Sequence, residues 1–235
     1  MEANTVLLPV PGTSDECTLH TALYGEDGDM IDEHSQPPEP AVNMFVPRPA
    51  TPLEPGHVFG GSGVTVGEFW RWAYSDLRSN VVRGVLAEFL VAKALADPSP
   101  LRDAWDNHDV TTSEGLKVEV KSSGYLQSWS QSKLSSVSFG RLTGKSWVEG
   151  TGYSIEREIR ADVFVFAIHI CKVPDDYDPI DIAQWEFHVA PAAAVKAHGW
   201  RSAGVGFLKR WCAGPHPWHE LAAAVDTCAT AGKGT

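Results

Sequence analysis

Two carboxylates and a lysine lie close together in the sequence, around a short polar turn. Asp109 precedes the turn, and Glu119 and Lys121 follow it, two residues apart. If residues 115–123 form a β-strand, alternate side chains point to the same face, so Glu119 and Lys121 lie side by side. Carboxylates that converge beside a lysine suit a hard divalent cation, which prefers oxygen ligands.

A β-hairpin would bring these residues together. The sequence predicts a short strand over residues 105–110 and a turn over residues 111–115, in which the final glycine supplies a permissive backbone. A second strand follows the turn. Asp109 then lies near the end of the first arm and meets Glu119 across the hairpin. The alternative is an exposed hairpin whose alternating Lys and Glu residues are ordinary surface charges.

A helix before the hairpin supplies a third acid. Residues 81–95 have a helical pattern, and Glu88 is the only charge on their apolar stripe. A carboxylate on a buried helix face needs a partner or a metal. Glu88 is therefore either part of the site or an edge residue in a salt bridge with an arginine such as Arg83 or Arg102.

The ordered set of a helix Glu, a hairpin Asp and a Glu-x-Lys sequence resembles the core of the PD-(D/E)XK nucleases, the restriction-endonuclease-like superfamily. The residues that carry the resemblance are Glu88, Asp109, Glu119 and Lys121. The sequence departs from the family pattern at His108, which takes the place of the proline that often precedes the aspartate. The resemblance implies an α/β fold with a central mixed β-sheet flanked by helices, that is, a restriction-endonuclease-like core.

By this resemblance, the chain is expected to be a metal-dependent endonuclease that hydrolyses phosphodiester bonds in DNA. Asp109 and Glu119 would bind Mg²⁺ or Mn²⁺, with the Val120 carbonyl as a further ligand. Glu88 would hold a second metal, directly or through water, and Lys121 would position the attacking water. These four charged residues are the expected catalytic set.

The segment after the hairpin is rich in hydroxyl and amide side chains and contains no acid between residues 122 and 146. Such groups contact phosphates and stack on sugars or bases. The residues predicted to contact nucleic acid are Ser122, Ser123, Gln127 and Lys133. The alternative is a serine-rich surface loop in which Trp129 and Leu134 are packed into the core.

The charge of the chain is unevenly distributed. The net charge at pH 7 is −11. Residues 1–64 carry ten acids and one base, a net charge of −9, whereas residues 65–235 carry twenty acids and eighteen bases, a net charge of −2. The field near the hairpin can therefore be positive although the protein is acidic. We interpret residues 1–62 as an acidic, Pro-rich, partly disordered arm and residues 63–235 as the nuclease-like domain.

Other patterns predict the framework of this domain. Thr65 and Glu68 have the spacing of a helix capping box. Residues 161–171 are almost wholly apolar and predict a strand that is buried on both faces, at the centre of a sheet. Residues 185–189 predict a further strand, and residues 192–198 predict a helix that ends at a glycine.

Composition restricts the class of protein. The chain has no apolar run of transmembrane length and no basic segment before its first apolar residues, so neither a membrane span nor a signal peptide is expected. Its four cysteines are scattered, which favours a reducing cytoplasm over a disulfide framework. DNA is the expected partner, and double-strand cleavage would require a homodimer. The alternatives are an RNA-directed nuclease and a catalytically inactive binding or interaction module on the same fold.

Overall fold

The computed structural model describes most of the chain from residue 50 onwards and three strands before it. The described residues are 4–9, 19–24, 30–31, 50–99, 101–103, 106–145, 147–148, 152–199 and 202–232. The chain divides into two compact units, Met1–Arg48 and Pro49–Thr235. Within the described residues, no helix combines the length and the apolar character that crossing a bilayer requires.

The described backbone of the first unit forms a three-stranded antiparallel sheet in the order β1-β2-β3. Its strands are β1 (Asn4–Pro9), β2 (Leu19–Tyr24) and β3 (Met30–Ile31). From the sequence we interpreted this segment as an extended, partly disordered arm, because no apolar period runs through it. Backbone hydrogen bonds can pair short apolar runs without a long sequence period, so the sequence did not predict these strands.

The second unit includes the segment that precedes its first helix. The Pro55 carbonyl accepts from the Gly67 N–H at 2.8 Å, and the His57 carbonyl accepts from the Val66 N–H at 2.8 Å. These bonds fasten the segment before residue 62 to the start of the next helix. Residues 49–62 therefore belong to the second unit.

Helix α1 (Val66–Tyr74) begins with the predicted capping box. The Thr65 hydroxyl accepts from the Glu68 N–H at 3.2 Å, and the Thr65 N–H donates to Glu68 Oε2 at 2.7 Å. The two bonds satisfy two N–H groups that have no partner within the helix itself. This prediction is confirmed.

The second unit combines helices and strands in a mixed α/β fold. Its other helices are α2 (Asn80–Ala94), α3 (Ala192–His198), α4 (Val205–Trp211) and α5 (Leu221–Gly232). Its strands are β4 (Val110–Thr111), β5 (Lys117–Gly124), β6 (Ser138–Gly140), β7 (Trp147–Val148), β8 (Gly152–Tyr153), β9 (Val163–His169), β10 (Trp185–Pro191), β11 (Ser202–Gly204) and β12 (Ala213–His216).

Five of these strands form a central mixed sheet in the order β12-β10-β9-β5-β4. β5 and β9 run parallel, whereas the other neighbouring pairs are antiparallel. The parallel register places Glu119 opposite Phe164 and Lys121 opposite Phe166. All seven residues of β9 are buried, which confirms the central strand predicted there.

Predicted and observed elements agree closely after β9 and less well at the hairpin. β10 and α3 lie where the sequence predicted them, and Gly199 ends α3 with a φ of 87°. Of the strand predicted over residues 105–110, residue 105 lies outside the described residues, and among residues 106–110 only Val110 belongs to a strand, β4. Local bonds such as that from the Asn107 N–H to Asp106 Oδ1, at 2.6 Å, favour a bend over an extended ladder.

Apolar side chains cover both faces of the central sheet. On one face, α2 and α5 pack against the sheet through residues such as Val91, Val120 and Leu221. On the other face, α4 and the β6–β11 ribbon pack around Phe166 and its neighbours. Because alternate residues of β5 share a face, Glu119 lies on this second face.

The core on the second face gives a test of the packing. Phe166 is fully buried, with its ring centroid 5.0 Å from that of Phe139 and 5.6 Å from that of Phe207. We expect Phe166→Ala to lower the free energy of unfolding by about 3–5 kcal/mol, because it removes buried contacts and leaves a cavity. Urea denaturation followed by circular dichroism measures this change.

The matched control is Val81→Ala, at a helix position that is 78% exposed. It should change the free energy of unfolding by less than about 0.5 kcal/mol. A Phe166→Ala variant as stable as this control would contradict the packing.

Candidate functional site

Backbone hydrogen bonds fix Asp109 at the edge of the central sheet. Its N–H donates to the Val118 carbonyl at 3.1 Å, and its Oδ2 accepts from the Val120 N–H at 2.7 Å. Both partners belong to β5, which also carries Glu119 and Lys121. The hairpin therefore brings the acid before the turn next to the Glu-x-Lys sequence after it.

Side-chain contacts of His108, the residue before Asp109, order the backbone that leads into the sheet. The ring of the buried His108 has Nε2 2.5 Å from the Thr111 hydroxyl and Nδ1 3.3 Å from Asp106 Oδ1. These contacts join the residues on both sides of Asp109. Side-chain contacts thus order the segment directly before Asp109.

Glu119 and Lys121 form an ion pair on one face of β5. Lys121 Nζ contacts Glu119 Oε1, and the side chains are 18% and 21% exposed for Glu119 and Lys121 respectively. Because water is partly excluded, the attraction is stronger than in a fully exposed pair. The pair places an ammonium group beside one of the two hairpin carboxylates.

A cavity of about 260 Å³, which we call the carboxylate cavity, brings the two acids to one surface. Asp109 and Glu119 both line it. The basic residues in its lining are Arg141, Lys145 and Arg160. The lining also includes Asp106 and Glu158, and Glu158 pairs with Arg160 at 3.1 Å. The cavity can therefore accept a cation beside the carboxylates and an anionic backbone beside the bases.

Glu88 lines a neighbouring cavity of about 430 Å³, which Asp109 also lines. Its carboxylate accepts hydrogen bonds from Arg102 Nε and, at 3.1 Å, from Arg102 Nη2. This is the salt bridge that the sequence left open as the alternative for Glu88. Glu88 thus lies near the carboxylate pair, but a cation of the protein already engages it.

Burial raises the pKa of Asp109 to about 7, and the negative charges of Glu119 and Glu88 add to the effect. The Val120 N–H and the Lys121 ammonium group oppose it. A carboxyl group with so high a pKa lies where the fold does not fully compensate its negative charge. A cation held between the acids would offset that charge, and such perturbed groups are concentrated at functional sites.

The oxygen atoms around Asp109 fit a hard divalent cation. Asp109 and Glu119 supply carboxylates, and the Val120 carbonyl points to the same side of β5 as the Val120 N–H, toward Asp109. Across the part of the chain that the structure describes, no group of three or more His, Cys, Asp or Glu side chains could hold a metal. A site here would therefore consist of two carboxylates, a backbone carbonyl and water, a set that suits Mg²⁺.

The residues predicted to contact nucleic acid lie in different environments. Ser123 is 7% exposed, and its hydroxyl accepts from the Ser138 N–H at 3.2 Å, so it joins β5 to β6. Ser122 is half-buried. Gln127 and Lys133 line a separate cavity beyond the C-terminal end of β5. The structure therefore does not bring these four residues to one surface.

The loop after β5 is exposed where the alternative interpretation placed it in the core. Trp129 is 56% exposed and Leu134 is 42% exposed, so that part of the alternative is wrong. From the sequence, Arg83 was predicted only as a possible partner for Glu88. Arg83 is instead 5% exposed and donates to the Leu126 carbonyl at 3.2 Å and to Gln127 Oε1 at 3.3 Å. No sequence period links residues so far apart.

Arg160, which lines the carboxylate cavity, was not predicted from the sequence. Comparisons with protein-family models and with curated proteins found no match for this chain. The candidate site therefore rests on the convergence of Asp109 and Glu119, the raised pKa of Asp109 and the bases in the same cavity.

The pKa of Asp109 predicts how stability depends on pH. Asp109 keeps its proton in the folded protein up to about pH 7, whereas its ordinary pKa is 3.8. Between these values the folded state binds more protons than the unfolded state, so stability falls as the pH rises through this window.

We expect Asp109→Asn to remove this penalty, because an amide oxygen can still accept the Val120 N–H. In buffer with EDTA, the variant should melt at a higher temperature than wild type at pH 8 and at a similar temperature at pH 4. Thermal denaturation measures both. Glu114→Gln, at an exposed acid in the turn, is the control and should show no such pH-dependent gain. An Asp109→Asn variant that melts no higher than wild type at pH 8 would contradict the electrostatic description.

Proposed function

We propose that this chain is a metal-dependent nuclease that hydrolyses phosphodiester bonds in DNA, on a restriction-endonuclease-like core. The observation that carries the proposal is that Asp109 and Glu119 line one cavity together with three basic side chains. The pairing of Glu119 with Lys121 supports it, because an ammonium group then lies next to the carboxylates. The order of elements, with α2 before the hairpin and β9 parallel to β5, is compatible with the same fold family.

Asp109, Glu119 and the Val120 carbonyl are the groups that would hold Mg²⁺ or Mn²⁺. When bound, such a cation would lower the pKa of water and neutralise charge on the scissile phosphate. Glu88 would reach a second cation only if its bonds with Arg102 opened, since Arg102 engages both of its oxygens.

The basic side chains would act on the phosphodiester itself, Lys121 through its place beside Glu119 and the others from the lining of the carboxylate cavity. Lys121 would orient the attacking water and stabilise the negative charge that develops at phosphorus. Arg141, Lys145 and Arg160 would hold the phosphate backbone against the carboxylate pair. Pairing with Glu119 limits the motion of the Lys121 ammonium group, which reduces the reorganisation needed during the reaction.

Loss of a carboxylate tests the proposal directly. We expect Asp109→Asn and Glu119→Gln each to lower the rate of Mg²⁺-dependent plasmid nicking by at least ~10³-fold, roughly 4 kcal/mol of barrier. The reason is that each change removes a charge that would hold the cation. The control is Glu114→Gln, which should cleave like wild type because its acid is exposed in the turn. Equal cleavage by all three variants and wild type would refute the site.

Plasmid and RNA substrates in identical salt decide between the DNA-directed and RNA-directed forms of the proposal, because phosphate-driven binding depends steeply on ionic strength. The wild-type protein could also bind these substrates but cleave neither of them, in Mg²⁺ or in Mn²⁺. That result would favour the inactive binding module instead.

Lys121 should separate binding from chemistry. We expect Lys121→Ala to bind DNA with little change and to cleave about 10²–10³-fold more slowly, because it removes charge stabilisation that matters most in the transition state. Anisotropy with labelled DNA measures binding, and single-turnover cleavage measures the chemical step. The control is Lys117→Ala, an exposed lysine at the start of the same strand. If the two variants lose cleavage equally, Lys121 has no specific role.

A further inference from the structure

A cavity beyond the C-terminal end of β5 differs in character from the carboxylate cavity. Its volume is about 430 Å³, which lies in the range of about 300–1,000 Å³ typical of ligand sites. The side chains that define its chemistry are Arg78, Trp129, Gln131, Lys133, Lys172 and Tyr177. None of the described residues in its lining is an acid. We call this cavity the aromatic groove.

Trp129 presents an indole ring to solvent in this groove. The residue is 56% exposed, and no ring among the described residues stacks on it. The ring is therefore available as a stacking surface.

A second aromatic residue in the groove is held rigidly. Tyr177 is 8% exposed, its ring centroid lies 4.1 Å from that of His169, and the guanidinium carbon of Arg78 lies 5.4 Å from the same ring. The Tyr177 hydroxyl is buried beside the Arg83 guanidinium but makes no hydrogen bond of normal geometry. Tyr177 therefore forms a fixed aromatic wall of the groove.

Hydrogen bonds also order the loop that forms the floor. Gln131 Oε1 accepts from the Gln127 N–H at 2.7 Å, and Gln131 Nε2 donates to the Tyr125 carbonyl at 3.2 Å. The Ser135 N–H closes the loop onto the same carbonyl at 2.9 Å. A floor built in this way loses little conformational entropy when a ligand binds.

A buried cation lies behind this floor. Arg83 is 5% exposed, its Nε has no hydrogen-bond partner, and no carboxylate among the described residues pairs with it. Its contacts are instead with neutral groups, Asn80 Oδ1 at 2.8 Å and the oxygens of Leu126 and Gln127. An uncompensated cation in a low-dielectric setting raises the positive potential of the groove above it.

We propose that the aromatic groove binds single-stranded nucleic acid, with a base stacked on Trp129 and phosphates held by Arg78, Lys133 and Lys172. Exposed aromatic rings beside cations are the combination that single-strand binding uses, because every base has a face that can stack. In a duplex, stacking on neighbouring base pairs covers the faces of the bases, so these faces cannot stack on the indole of Trp129. An acidic peptide would satisfy the cations but leave the indole exposed.

The position of the groove bears on the substrate, and this step rests on the proposed function. β5 carries Glu119, which lines the carboxylate cavity, and ends at Gly124, about 17 Å further along the strand at about 3.3 Å per residue. Leu126 and Gln127, which line the groove, follow at once. A single-stranded nucleic acid bound in the groove would therefore reach the carboxylate cavity within a few nucleotides. The expected substrates are nucleic acids with an unpaired stretch beside the cleaved bond, such as overhangs, flaps and gaps.

The test uses the full chain with EDTA, so that binding is measured without cleavage. The probes are labelled oligo(dT), oligo(U), an abasic DNA strand of the same length and a duplex. We expect the two single strands with bases to bind at least about tenfold more tightly than the abasic strand and the duplex. Trp129→Ala should weaken oligo(dT) binding about tenfold, and Trp129→Phe should retain most of it.

Two variants outside the groove serve as controls. Trp72→Ala removes an indole that is 84% exposed on α1, and Lys209→Ala removes an exposed lysine on α4. Both should bind oligo(dT) like wild type, whereas Lys133→Ala combined with Lys172→Ala should weaken binding and reduce its salt dependence. Equal binding of oligo(dT) by Trp129→Ala and wild type, or duplex binding as tight as oligo(dT) binding, would overturn the proposal.

The two proposals can fail separately. If Asp109→Asn loses cleavage but keeps oligo(dT) binding that depends on Trp129, both hold. If the wild-type protein binds oligo(dT) through Trp129 but cleaves nothing, the groove stands and the nuclease assignment fails. If cleavage depends on Asp109 but is unchanged in Trp129→Ala, on duplex and overhang substrates alike, the nuclease assignment stands and the groove does not guide its substrate.

Discussion

The parallel pairing of β5 with β9 holds both candidate sites in place. β9 is buried on both faces, so a shift of one residue in its register would turn every side chain to the wrong side of the sheet. Pairing with β9 therefore fixes the face on which Glu119 and Lys121 lie. At the other end of the pair, a Cβ on Gly124 would approach Arg83 Nη1 to 3.2 Å, so this glycine leaves room for the buried guanidinium. β5 thus positions Glu119 and Lys121 on one face of the sheet and, at its end, leaves room for Arg83 behind the aromatic groove.

Electrostatic interactions in the carboxylate site disfavour the ionised form of Asp109. Two backbone hydrogen bonds hold Asp109 beside β5, although burial and the nearby acids Glu119 and Glu88 disfavour its charge and raise its pKa. A fold that keeps such a pair together loses stability at neutral pH, and the core on both faces of the sheet must compensate. A local loss of stability of this kind is common where a site is arranged for binding a ligand rather than for the folded state alone.

Sequence patterns predicted the elements whose signal is local or strongly periodic. The capping box at Thr65, the buried strand β9, the strand β10 and the helix α3 were all found, because caps and apolar runs act over a few residues. Contacts between distant residues left no such signal. The pairing of Glu88 with Arg102 was one of two open alternatives, and the position of Arg83 beneath Gln127 was not foreseen. One of the two interpretations of the loop after β5 placed Trp129 in the core, yet it is exposed.

The acidic net charge of the chain does not exclude an anionic ligand. At physiological salt the Debye length is about 8 Å, so a charge acts mainly on its own surroundings. Most of the net charge of −11 lies in residues 1–64, whereas the carboxylate cavity and the aromatic groove each have three basic side chains in their lining. The two cavities differ in what accompanies those bases. In the proposed function, the carboxylates of the carboxylate cavity would hold a cation against a phosphate. The exposed indole of the aromatic groove would hold a base. Catalysis and substrate recognition would then take place in two separate cavities.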